Sequence, residues 1–106
     1  MDEFKKQAAR RMVAAAPQHS YMGTPPTLMF GITILEVEVN ADGNVRSISV
    51  TRRPANPDAA GVIEVAQEAI RRAAPYGDMA RLQRPWRWTE VFLFNDKYQF
   101  KPRTLD

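Results

Sequence analysis

Cysteine is absent from this 106-residue chain, which excludes disulfides, iron–sulfur ligation and thiolate zinc sites. Histidine occurs once, as His19. With neither cysteine nor a nearby carboxylate pair beside it, His19 cannot assemble a recognisable zinc set, and no metal or cofactor is expected. Glycine is scarce, at five residues. Gly31 and Gly43 stand alone rather than in a phosphate-cradling loop, and no serine sits in a nucleophile-elbow context. Long apolar runs are missing too, since none approaches the ~18 to 20 residues of a membrane-spanning helix. Met1-Asp2-Glu3 opens a polar stretch that does not read as a signal peptide. An excess of one charge is likewise lacking. Fifteen Lys and Arg against 12 Asp and Glu give a net charge of +3, and the basic residues are interspersed with acids. Dedicated nucleic-acid binders concentrate positive charge on one face or arm instead.

What remains is the composition of one small soluble domain, 44% apolar and 25% charged. Phe4, Ala8, Met12 and Ala15 recur at helical spacing while Lys5, Lys6, Arg10 and Arg11 fall mostly off that stripe, so residues 2 to 16 predict an amphipathic helix ended by Pro17. Gly23, Pro25 and Pro26 make the following stretch irregular. From Phe30 to Arg53 the pattern becomes β-branched and alternating, interrupted by Asp42-Gly43, a frequent two-residue hairpin turn. With those two residues as the loop, Leu35 faces Val50, Val37 faces Ile48 and Val39 faces Arg46, while Glu36 meets Ser49 and Glu38 meets Ser47 on a wet face. A three-residue loop would oppose Leu35 to Ser49 and lose the match.

Asn56-Pro57-Asp58 is a helix start, and the helix should run to about Ala74. Its apolar stripe is Ala59, Ile63, Ala66, Ile70 and Ala73, with Val62 and Ala69 alongside. After Pro75 and Gly77, the run from Trp86 to Phe94 predicts a third strand, and Tyr98 to Phe100 a short optional fourth. The fold expected is α+β: a two-layer sandwich with an N-terminal helix, then β-β-α-β, its antiparallel sheet ordered 2-1-3 for a right-handed crossover. Residues 1–28 form the helix and lead-in, and residues 29–106 the α+β domain. Val37, Ile48, Val50, Ile63, Ala66 and Ile70 are the expected core.

Catalytic candidates are weak. Glu36 and Glu38 share a strand face about 7 Å apart, but their neighbours are serines on an open face that would raise neither pKa, so no catalytic residue is assigned. Arg81, Arg84 and Arg87 interleave with Trp86 and Trp88, a pattern able to stack bases and hold phosphates. This makes a nucleic-acid module the alternative reading. The third strand is unusual in having two apolar faces. Trp86, Trp88, Phe92 and Phe94 line one and Val91 and Leu93 the other, so the strand needs cover twice, from the central helix and from something else, either the first helix or another protein chain, including a second copy.

The stretch Val37-Glu38-Val39-Asn40-Ala41-Asp42-Gly43-Asn44-Val45, continuing through Ile48, Val50 and Arg52, resembles a strand, Asp-Gly turn and strand of the C-terminal domain of the TonB/TolA family of periplasmic energy transducers. Asp58-Ala59-Ala60, Ala66, Ala69-Ile70 and Pro75 resemble that domain's helix opening, body and exit. The resemblance covers Phe30 to Asn95. It implies a non-enzymatic, periplasmic protein-interaction domain that supports outer-membrane transport by gripping an extended transporter segment along its last strand, through β-augmentation. Carried onto this chain, the gripping strand holds Trp88, Glu90, Phe92 and Phe94. If Asn95-Asp96 is a two-residue turn, Leu93 pairs with Tyr98 and Val91 with Phe100. The edge would then pass to Tyr98 through Lys101, with Lys97, Gln99 and Lys101 alternating along it, and a partner would have to displace this segment.

Overall fold

The computed structural model describes residues 2–106. The elements are helix α1 (Asp2–Ala15), strands β1 (Gly31–Val39) and β2 (Val45–Arg52), helix α2 (Val62–Ala73), and strands β3 (Arg87–Phe94) and β4 (Phe100–Pro102). The strands form one antiparallel sheet ordered β2-β1-β3-β4, which is the expected α+β architecture with its fourth strand present. Both helices contribute to the same hydrophobic core as the inner sheet face. α1 therefore belongs to the domain's single core, burying Ala8, Ala9 and Met12.

Alternation decides the faces. Along β1 the buried positions are Gly31, Thr33, Leu35, Val37 and Val39, and along β3 they are Trp88, Glu90, Phe92 and Phe94. The α2 stripe falls as its spacing requires, with Val62, Ile63, Ala66, Ala69, Ile70 and Ala73 buried. A 3-10 turn, Pro57–Ala59, precedes α2, and the Asn56 side chain caps it by accepting from Asp58 N–H. Of the expected core, Val37, Ala66 and Ile70 are fully enclosed and Ile63 is 8% exposed. Ile48 and Val50 sit half-buried on the sheet's outermost strand.

The β1–β2 register is as expected over four pairs, Leu35 to Val50 through Glu38 to Ser47, yet Val39 faces Val45 rather than Arg46. The reason lies in the turn. Gly43 N–H bonds Asn40 C=O and Asn40 N–H bonds Asn44 C=O, so the loop is the three residues Ala41-Asp42-Gly43, with Gly43 at φ 86°. Such a loop normally ends in a glycine of left-handed conformation. The extra residue is absorbed by a bulge at Arg46, which restores the apolar pairing. Hydrophobic matching thus overrides the register that the turn alone would impose. The tip is then clamped from outside, as Gly43 C=O accepts from Tyr76 N–H at 2.8 Å and Ala41 C=O from Met79 N–H at 2.9 Å.

The second hairpin repeats this construction and corrects the sequence reading. Tyr98 N–H bonds Asn95 C=O, Asn95 N–H bonds Gln99 C=O, and Tyr98 takes the left-handed position at φ 59°. The loop is Asp96-Lys97-Tyr98, not Asn95-Asp96. Asn95 Oδ1 fixes it by accepting from the backbone N–H of both Lys97 and Gln99, each at 3.0 Å. Phe94 consequently faces Phe100, Leu93 faces Lys101 and Phe92 faces Pro102. The slip is an odd number of residues, so Phe100 turns from the outer face onto the core face. There it is fully buried against Phe92 and Phe94, with ring centroids 5.2 and 5.6 Å away.

Candidate functional site

The strand read as the gripping element divides by face. Trp88, Glu90, Phe92 and Phe94 all point into the core, each 5% exposed or less. Trp88 is held edge-on between Phe4 of α1 (4.9 Å) and Tyr76 (5.2 Å). These side chains shape the strand from below and do not meet a partner directly. Arg87 and Thr89 are exposed on the opposite face, with Val91 and Leu93 half-exposed beside Ile34 and Ile32 of β1.

Lys97, Gln99 and Lys101 do not alternate along an open edge. Lys97 is exposed in the loop, while Gln99 closes the loop by accepting from Asn95 Nδ2 at 3.0 Å. Lys101 alone lies in β4, and its Nζ donates to Gly23 C=O (2.7 Å) and to Asp106 Oδ1 (3.2 Å). The far side of β4 is also covered. Ser20 bridges to Phe100, Tyr21 N–H donates to Phe100 C=O, and the Tyr21 hydroxyl donates to Leu93 C=O. The edge the sequence reading assigned to Tyr98 through Lys101 is therefore occupied by the lead-in segment.

A different edge is left. β3 is eight residues long, but β4 pairs only with Phe92 through Phe94. Arg87 through Val91 have β1 on one side and, among the described residues, no strand on the other. Their pairing to β1 is continuous, so this stretch is regular extended backbone. By contrast, the free edge of β2 is interrupted by register shifts near both ends and carries Arg46 and Arg52, both of them devices that discourage added strands.

Where β4 ends, a side chain takes its place. Glu90 Oε2 accepts from Val91 N–H at 3.0 Å and from Thr104 N–H at 3.3 Å. Thr104 lies in the closing 3-10 turn Arg103–Leu105. Glu90 is only 2% exposed, and its Oε1 has no hydrogen-bond partner among the described residues. Burial raises its pKa, against the lowering effects of the Thr104 hydroxyl, of the Thr104 and Val91 N–H groups and of the Lys5 charge. Trp88 Nε1, two residues away on the same face, is likewise buried and unpartnered. Glu90 was legible as a member of the strand, but its role emerges only with the Thr104 contact.

The arginine-tryptophan segment forms a shallow cleft of about 540 Å³ lined by Glu38, Arg46, Arg84 and Trp86 with neighbouring backbone. Arg84 lies over the Trp86 ring at 4.4 Å, and Trp86 Nε1 donates to Leu82 C=O. Trp88 is enclosed and presents no platform for base stacking, while Arg84 occupies one face of the half-buried Trp86. His19 is exposed in the turn Pro17–His19. Glu38 accepts from Ser47 Oγ at 3.5 Å on the outer sheet face. No group of three or more potential metal ligands occurs among the described residues, and no helix there is long and apolar enough to cross a membrane. No family model, curated protein or solved structure gives a significant match to this chain.

Proposed function

We propose that this is a non-enzymatic protein-interaction domain that receives an extended segment of another protein on the outer edge of β3. The observation that carries the reading is the regular stretch Arg87–Val91, which has a strand on one side and, among the described residues, no strand on the other. Unpaired N–H and C=O groups along such an edge bind extended peptide by completing the ladder, and outward side chains supply selectivity. Arg87, Thr89 and Val91 are those side chains here. The reading is consistent with the TonB/TolA resemblance, which assigns the same strand to the partner. On that basis the setting is the periplasm and the partner an outer-membrane transporter segment.

Displacement of all of β4 is not part of the mechanism. Re-exposing Phe100 would cost about 3 kcal/mol or more, which is at least a ~150-fold loss of affinity. The partner instead continues where β4 stops, shifting only the closing turn Arg103–Leu105.

The test is an amide-shift titration of the full chain with peptides from extended segments of outer-membrane transporters. Shifts concentrated at Thr89, Val91 and Thr104, and changing little with salt, support the reading. Shifts confined to β2, or no shifts up to millimolar peptide, would defeat it. A parallel titration with single-stranded DNA addresses the nucleic-acid alternative, for which phosphate-driven binding would weaken steeply with salt. Sedimentation of the unliganded chain shows whether a second copy occupies the edge.

A further inference from the structure

We propose that Glu90 is the latch on this edge: its carboxylate ties the closing turn to β3, and removing its charge while keeping its shape makes the turn hold more tightly. This rests on the reading that Arg87–Val91 receives a partner strand, but the latch can be measured with no partner present.

Glu90 is oddly placed. A carboxylate occupies an inward position between Trp88 and Phe92, opposite Leu35, and is the one charged side chain among the buried residues described on a mainly apolar face. One of its oxygens serves two backbone donors that belong to different elements, Val91 N–H on the free edge and Thr104 N–H on the closing turn. Closing the turn therefore satisfies Thr104 N–H and shields Val91 N–H from competing strands. It also buries a charge with one oxygen unpartnered. Lifting the turn reverses both effects, losing one hydrogen bond and returning the carboxylate to water.

The surrounding charges do not cancel that burial. The Thr104 hydroxyl of the closing turn and, more weakly, Lys5 of α1 favour the charged form of Glu90. Asp2 and Lys6 line the same small cleft as Lys5 and Thr104. From the closing turn come Arg103, which is exposed, and the adjoining Asp106, which is already paired with Lys101 at 3.2 Å. β1 contributes the apolar Leu35. Desolvation remains the largest influence and keeps the carboxyl above its ordinary range. The sign follows by linkage. The closed state favours the protonated side chain, so protonation closes the latch and rising pH loosens it. A glutamine reproduces the neutral shape and stays closed, whereas an alanine leaves both donors without their acceptor.

Native-state amide exchange of the full chain at about pH 5 and about pH 8, corrected for intrinsic rates, separates these cases. Thr104 and Val91 report the latch, and Ile70 reports global unfolding. In the natural chain, protection of Thr104 relative to Ile70 should fall by about tenfold across that range. In Glu90→Gln it should stay level and exceed the natural chain's at the higher pH. In Glu90→Ala it should be about tenfold lower at both. Identical Thr104 exchange in Glu90→Gln and the natural chain at both pH values overturns the latch. So does Thr104 exchange that tracks Ile70 throughout, because the turn would then open only with the whole fold. Should Glu90→Ala fail to fold, the glutamine comparison still decides. If these differences appear while the peptide titration finds no edge binding, the latch stands and the strand-addition reading falls.

Discussion

A substitution and a truncation only a few residues apart should have very different consequences. Phe100 is completely buried, its ring packed against Phe92 and Phe94. Phe100→Ala removes that ring and leaves a cavity whose walls are sheet and helix residues that cannot collapse freely, at a cost of about 3 to 5 kcal/mol. Against a typical stability of roughly 5 to 15 kcal/mol, this is a large part of the whole. Truncation after Pro102 retains all of β4 and removes only the closing turn. It loses the Thr104 bond to Glu90 and the Lys101–Asp106 pair, the latter's carboxylate being substantially exposed. It also lets water reach the Glu90 carboxylate. A hydrogen bond to a charged group contributes about 1.5 to 3 kcal/mol, and recovered solvation of the charge offsets much of that, so the net loss should be about 1 kcal/mol. Urea titrations of the two variants beside the natural chain, fitted with a shared slope, read both numbers. Equal losses would refute the division of this segment at Pro102. A loss under about 1 kcal/mol for Phe100→Ala would refute the packing of β4 itself.

Gly43→Ala combines a left-handed backbone with a Cβ that would stand 2.6 Å from Gly77 N and 2.8 Å from Tyr76 N, so thermal melts should show a loss of about 2 kcal/mol or more. A loss under half a kcal/mol would mean that the hairpin tip is not clamped there. Tyr76→Phe removes the hydroxyl bond to Ile70 C=O at 2.7 Å and should cost about 1 kcal/mol in urea, because burial raises the Tyr76 pKa and keeps the hydroxyl a donor throughout ordinary pH. Global stability should carry a Glu90 contribution that is full below the ordinary glutamate pKa and lost as pH rises through the raised value, since the native state binds the extra proton in that window. Glu90→Gln should flatten this component of a stability–pH profile, and an unchanged profile would rule it out.

The elements legible in the sequence are those whose pattern repeats. Val62 through Ala73 show a helical stripe that packing only confirms, and the alternation from Leu35 to Glu38 is strong enough to set its own register. Loops are less legible because two- and three-residue hairpins differ by one residue and both accommodate Asp-Gly. In the first hairpin a bulge at Arg46 hides the difference. In the second nothing does. The side chain of Asn95 organises three residues instead of two, and Phe100 lands on the opposite face from the one its spacing to Val91 suggests. The sequence does carry a signal, since both loops begin with asparagine and return a backbone bond to it four residues later, Asn40 to Asn44 and Asn95 to Gln99. A tyrosine rather than a glycine at the left-handed position conceals the likeness. Its conformational cost is offset by a hydroxyl bond to Asp58 C=O and a ring contact with Phe30.

Glu90 was legible in a different sense. Alternation through Trp88, Glu90 and Phe92 places a carboxylate on an aromatic face, and a buried acid at such a position lowers stability unless it is paired and fully hydrogen-bonded. It is neither, because Oε1 is unpartnered and Lys5 attracts it without forming an ion pair among the described residues. A leucine there would pack against Leu35 and suit the fold better, while leaving Val91 N–H and Thr104 N–H unbonded at the end of β4. Side chains that oppose their local environment are found where a structure must do more than persist. In this chain the opposing side chain sits where the regular sheet edge begins. The two backbone donors that it holds are the ones an incoming strand and a departing turn would exchange.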